Sequence, residues 1–213
     1  MRRLIMGMVL STLILGCSTV QRPKGIDTST PVQHQESIAA GVAATMDDRE
    51  SETIGTLGGA TIAIKKNDLV DLVSNYLIRY INEKAGLNVE RVEISDADSI
   101  KLIASKNKVK AVIILRIKSL KLFSNDVMPG LIGAELILEL SVFDETGQEI
   151  YRRPVISHFE NPIESPVVEK NAKELIESVI KNGLSQYGKD AELKKIIAKF
   201  KYGGLGATLA QIF

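Results

Sequence analysis

The 213-residue chain has one cysteine, Cys17, two histidines, His34 and His158, and no tryptophan. A single thiol cannot close an intrachain disulfide, so stability must come from burial rather than from covalent crosslinks. Two histidines, one in a polar N-terminal stretch and one on a strand-like segment, are too little material for a zinc site or a histidine-based triad. Excess charge is missing too: 27 basic residues stand against 26 acidic ones, which leaves no field to recruit nucleic acid. Long apolar runs are also absent. Crossing about 30 Å of hydrocarbon takes roughly 20 apolar residues, and the N-terminal run 4–15 has twelve. What remains is 45% hydrophobic and 25% charged, the balance of a globular protein rather than a disordered one.

The run that is too short to span is well formed for processing. Arg2 and Arg3 precede it, and it closes on Ile14-Leu15-Gly16-Cys17. A positive start, a short apolar stretch and a small residue before the cut are the parts of a secretory signal. Cysteine directly after the cut supplies a thiol for lipid, as in bacterial lipoproteins. By that resemblance the signal peptide, residues 1–16, is cleaved between Gly16 and Cys17. Cys17 then carries a thioether-linked diacylglycerol and an amide-linked acyl chain, and two or more chains anchor stably where one does not. Removal of the two arginines leaves 25 basic residues against 26 acidic. Ser18 stands where aspartate signals inner-membrane retention in many such proteins, so the expected location is the outer membrane, facing the periplasm. Residues 17–36, with Pro23, Gly25 and Pro31 and no apolar periodicity, are expected to be a lipidated flexible tether, with a coil reach of about 20–25 Å and a stretched reach near 60 Å.

An α/β domain is expected over 37–160 and a C-terminal helical extension over 161–213. A small-residue apolar segment near 38–44 suits a buried strand. Polar Asp47-Asp48-Arg49-Glu50 reads as a solvated loop, and 54–59, Ile-Gly-Thr-Leu-Gly-Gly, as a turn. Leu69, Val70, Leu72, Val73, Tyr76, Leu77, Tyr80 and Ile81 recur at helical spacing, with Asn67 placed to cap and Gly86 to stop. A strand over 87–94 and a short helix starting at Ser95 follow. Residues 109–123 alternate, but parity inverts after Lys118, which predicts a bulge near Ser119. Residues 131–143 alternate as its antiparallel partner. Asp144-Glu145-Thr146-Gly147 turns into a third strand, which Pro154 marks as an edge. Ser165 and Pro166 open a helix striped by Val168, Ala172, Leu175, Ile176, Val179, Ile180 and Leu184. Asp190 opens another, carrying Leu193, Ile196, Ile197 and Phe200. The expected fold is a mixed sheet of about five strands with helices packed on one face.

Asp48-Arg49, the 54–59 segment, the helix ending in Gly86-Leu87, and Ala134-Glu135-Leu136 with the 144–147 turn resemble the YajG-like bacterial lipoproteins, whose domain is similar to the N-terminal domain of TolB. The resemblance covers about residues 37–160. It implies a protein of the cell envelope that acts by binding to an envelope partner. The sequence itself assigns no catalytic residue, no metal and no cofactor. The 54–59 glycines lack the lysine and hydroxyl of a phosphate loop. Asp47, Asp48 and Glu50, or Asp96 and Asp98, fall short of the ligand count and spacing of a calcium loop. Softer candidates for contact are Phe123, Val127 and Met128 around the 123–130 hairpin, the edge near Pro154, and the Leu193 stripe. The expected function is non-enzymatic scaffolding of an envelope complex, with a lipid-handling transporter accessory or cell-wall enzyme as the alternative. A cavity fit for acyl chains, or convergent carboxylates in a deep pocket, would favour the alternative.

Overall fold

The computed structural model describes residues 40–57, 59–94, 99–124, 131–162 and 168–202. Gly16, Cys17, the tether, His34, Ser95, Asp96, Asp98, Val127, Met128, Ser165 and Pro166 lie outside the described residues. In chain order the elements are β1 (Gly41–Asp47), β2 (Thr53–Leu57), β3 (Ala60–Ala63) and α1 (Lys66–Tyr80), which runs into one π-helical turn (Ile81–Ala85). Then come β4 (Val89–Arg91), α2 (Ile100–Asn107), β5 (Ala111–Ser124), β6 (Leu131–Asp144), β7 (Glu149–Pro162), α3 (Val168–Tyr187) and α4 (Ala191–Tyr202).

All seven strands join one mixed sheet. β5 is its spine. One edge pairs antiparallel with β6 from Ala111 to Ser124. The other edge pairs parallel with β1 from Ala111 to Ile117, and further along with β2 at Leu122. β4 lies parallel outside β1, β3 antiparallel outside β2, and β7 antiparallel outside β6. The predicted bulge is present: pairing steps from Ile117 to Ser119 on β5 while β6 moves only from Leu138 to Ile137. Lys118 is the extra residue. It lets Ile113, Leu115 and Ile117 before it and Leu120 and Leu122 after it all enter the same core, which an unbroken period of two would forbid.

That core lies between the sheet and α1, α3 and α4. Leu69, Val73, Leu77 and Ile81, four apart, form the buried stripe of α1 and its π turn, and Ala172, Leu175, Val179, Ile180 and Leu184 form that of α3. Each fully buried leucine, isoleucine or valine contributes roughly 1.5–3 kcal/mol of transfer free energy. α2 lies on the opposite face of the sheet, where Ile103 and Ala104 meet Val42, Val112 and Ile114 in a second, smaller core. The mixed α/β sheet is as expected, with seven strands where about five were anticipated and with one helix on the far face. The first half of β5 is therefore buried on both sides.

Three local expectations fail for one reason: groups distant in sequence do the work assigned to neighbours. Residues 53–57 are a strand, not a turn, because Gly55 brings β2 against β5; a Cβ there would lie 2.2 Å from the Leu122 carbonyl oxygen, at φ +153°. Gly59, at φ +81°, lies at the turn into β3. Asn67 does not cap α1: the helix begins at Lys66, whose amide donates to the Glu52 carboxylate at 3.2 Å. The 87–94 strand shortens to β4, held by Asn82, whose side chain accepts from the Val89 amide at 2.9 Å and donates to its carbonyl at 3.3 Å. Gly86, at φ +64°, ends the helical segment as expected.

Gly55→Ala should destabilise the domain by about 1–3 kcal/mol or more, as overpacking does, since the clashing atom is backbone. Gly59→Ala meets nothing within 4 Å and should cost less, about 1 kcal/mol of left-handed strain. Urea unfolding of the two variants checks the order.

Candidate functional site

Two recesses bring chemistry-bearing residues together. The first is a polar crevice of about 490 Å³ where β1 and β4 end beside the start of α1, walled by Thr45, Asp48, Asp71, Ser74, Arg91 and Glu93. Ligands of open α/β sheets collect at the carboxyl ends of parallel strands, so the position is suggestive. Four of its six charged side chains, however, are held in ion pairs: Asp47, Asp48, Asp71 and Arg91. Asp47 and Arg49, with side chains 2% and 3% exposed, form a buried pair in which Arg49 Nε and Nη2 donate to both carboxylate oxygens at 2.7–3.0 Å. Arg49 Nη2 also reaches the Ile64 carbonyl at 3.2 Å, fastening the end of β1 to the approach of α1. The expected solvated loop is thus partly interior: once the carboxylate is desolvated it needs its guanidinium partner.

Asp48 faces outward. Partial burial pushes its carboxyl up, but Lys118 at 2.7 Å and Arg116 at 3.3 Å win and hold it below the usual range. Arg91 pairs with Asp71. Among the described residues no group of three or more histidine, cysteine, aspartate or glutamate side chains is placed to hold a metal ion.

The second recess is different in kind. α1 and its π turn, the core face of the sheet, and the α3–α4 corner enclose a cavity of about 370 Å³, within the roughly 300–1,000 Å³ of small-molecule sites. Ile113, Leu140 and Val142 form its floor, Leu77, Ile81 and Leu184 one wall, and Leu193 and Ile197 of α4 the other. Tyr80, Lys84 and Lys194 stand where it meets solvent. Among the described residues no acidic side chain lines it. The expected C-terminal stripe is thereby placed: Leu193 is buried, and Ile196, Ile197 and Phe200 pack half-buried on the main core. Two of these four residues roof a cavity instead of sealing it.

The corner that holds α4 in position is polar and buried. Asp190 caps α4, its carboxylate accepting from the Glu192 amide at 2.8 Å and the Leu193 amide at 3.0 Å. Tyr151 donates to the other oxygen at 2.9 Å, and Arg153 pairs with it as well. The Leu193 amide most of all, with Arg153, Tyr151 and the Glu192 amide, holds the Asp190 carboxyl at about 2 against the opposing push of burial. Burial first, then the Asp190 charge, pushes the Tyr151 hydroxyl up, so it stays a donor. Gly188 lets the Tyr80 ring lie against this corner; a Cβ would fall 1.5 Å from its hydroxyl oxygen.

The remaining candidates resolve as structure. Phe123 covers Gly133 and stacks on His158, ring centroids 5.3 Å apart, so it packs on the sheet. His158 Nε2 lies 3.2 Å from Glu160. β7 pairs only with β6 among the described residues, and α3 reaches its carbonyls: Tyr187, Gln186 and Asn182 donate to Arg153, Ile156 and His158 at 3.0–3.1 Å. An incoming strand would find those acceptors occupied. No described helix is long and apolar enough to cross a membrane. Sequence reasoning missed the cavity; its nearest signal was a helical stripe whose partner surface could not be named.

No family model matches the chain and no curated protein matches its sequence. Solved structures similar to it include a DUF330 protein from Xanthomonas campestris (11% identity, 78% of this chain and 87% of that one, TM-score 0.44). Others are the lipoprotein GNA1162 from Neisseria meningitidis (8%, 71% and 99%, TM-score 0.43) and a minor lipoprotein from Acinetobacter baumannii (10%, 74% and 96%, TM-score 0.40).

A depressed carboxyl stabilises the fold above its unfolded value and loses that contribution as pH falls through its folded value. The share due to Asp190 should therefore be complete above about pH 4 and fade toward its folded value of about 2. Asp190→Ala, which removes the capping oxygens, should be less stable than the parent at pH 6, by about 1–2 kcal/mol as for a lost cap. The gap should narrow by pH 2.5 in paired urea titrations.

Proposed function

We propose that the protein is a lipid-anchored component of the bacterial envelope that works by binding rather than by making or breaking bonds. The observation that carries this reading is Leu15-Gly16-Cys17 behind a short apolar run and two arginines. Two or more acyl chains at Cys17 would hold the folded part at a bilayer through a tether able to clear the headgroups. Ser18 favours the outer membrane over the inner. The binding half of the reading draws on the character of the recesses: the charged groups of the polar crevice are largely spent on one another, whereas the apolar cavity keeps its polar groups at the mouth. That cavity favours the lipid-handling variant, a transporter accessory, over a purely scaffolding one.

Metabolic labelling with an alkyne-bearing palmitate should tag the wild-type protein and leave Cys17→Ala untagged. The wild type should sediment with membranes, and a Gly16→Trp variant, which blocks the cut, should accumulate as a larger precursor. An untagged wild-type protein with a free Cys17 thiol in the soluble fraction would sink the anchor.

A further inference from the structure

We propose that the cavity beneath α4 binds one acyl chain whose anionic head group is held at its mouth by Lys84, Lys194 and Tyr80. The proposal deepens the binding reading by naming the ligand class. The floor and walls, from Ile113 and Leu140 on the sheet to Leu77 and Ile197 on the helices, are aliphatic apart from Tyr187, whose hydroxyl is spent on the Arg153 carbonyl; this suits a hydrocarbon chain better than a sugar or nucleotide. Selection for charge arises at the rim. Lys84 and Lys194 are exposed and make no ion pair among the described residues, whereas nearby Arg79 pairs with Glu83 and Lys181 with Glu177. The Tyr80 hydroxyl likewise makes no hydrogen bond among the described residues.

Two ammonium groups and one hydroxyl donor thus line an apolar mouth that has no carboxylate among the described residues, the arrangement that favours a carboxylate or phosphate over a neutral or cationic head. The lysine stems can lie along the hydrocarbon while their charges stay in water. The two helices that frame the mouth are fixed independently, α1 by its stripe in the core and α4 by the Asp190 cap, so the site is preformed. A fatty acid and an acyl arm of an anionic phospholipid share this chemistry.

The full-length protein in isolated membranes is incubated with a diazirine-bearing palmitic acid, irradiated, digested and mapped by mass spectrometry. Crosslinks should concentrate in residues 77–85 and 193–197 and fall at least fivefold with excess plain palmitate. A competing anionic phospholipid should suppress them if phospholipid is the natural source, and leave them unchanged if free fatty acid is. Ile197→Trp, which fills the cavity, should remove them. In case that variant folds poorly, exposed-site Lys84→Glu with Lys194→Glu should lower labelling by the acid at least fivefold, yet spare labelling by the matching long-chain alcohol. Crosslinks scattered over the surface and indifferent to these variants would overturn the proposal. So would labelling that appears only after residues 203–213 are deleted, since the chain's own end would then be the occupant. A Cys17 peptide without lipid beside labelled cavity peptides would separate failure of the anchor from failure of the site.

Discussion

Strand β5 must satisfy hydrogen bonds on both edges and burial on one or both faces along fourteen residues, and the rest of the domain is arranged around how it does so. Its N-terminal half is flanked by β1 and β6 and covered on both faces, so Val112 and Ile114 are as buried as Ile113 and Leu115. Its C-terminal half exchanges β1 for β2 and has Lys121 exposed beside the buried Leu120 and Leu122. The Lys118 bulge is the hinge between these regimes. A strand whose environment changes part-way needs a parity change to keep one apolar face continuous, and one inserted residue is the smallest device that supplies it.

The connections around that strand are secured by side chains acting over long sequence distances. Glu52 caps α1, Asn82 substitutes for a strand partner of Val89, Arg49 ties β1 to Ile64, and Asp190 gathers two amides, a phenol and a guanidinium at the start of α4. Except for the exposed Glu52 bond, these satisfy groups that would be costly to bury unpaired. The last also sets the geometry of the apolar cavity, because α4 is half of its wall. The acidic residues most closely engaged, Asp47 and Asp190, are in this sense structural: their oxygens are already committed to donors within the fold.

The cavity follows from a mismatch between layers. α1 and α3 present unbroken aliphatic stripes to the sheet, while α4 meets the core through Leu193 and half-buried Ile196, Ile197 and Phe200. A helix that touches the core along a narrow stripe and is pinned at one end by a polar cap leaves room beneath it. Lysines at positions facing solvent then define the entrance. The proposed lipid anchor and the proposed acyl site would complement each other, since a domain tethered to a bilayer meets its lipids at high effective concentration.

Periodicity alone was enough for α1, for the β5–β6–β7 antiparallel run, for the bulge and for the stripe of α3, because each is dictated by which residues within a dozen positions can share a face. The expected processing signal, which lies outside the described residues, rests on equally local pattern: composition and one thiol in position. Local pattern could not show that Ile54-Gly55-Thr56 extends instead of turning, that Asp47 is interior, that Glu52 rather than Asn67 caps α1, or that α2 covers the far face. Those outcomes depend on atoms contributed from elsewhere: the Leu122 carbonyl beside Gly55, the guanidinium that permits a carboxylate to be desolvated, the hairpin that carries Glu52 to the helix. The cavity belongs with them, for a void is a property of three surfaces that fail to meet, and no one of them records it.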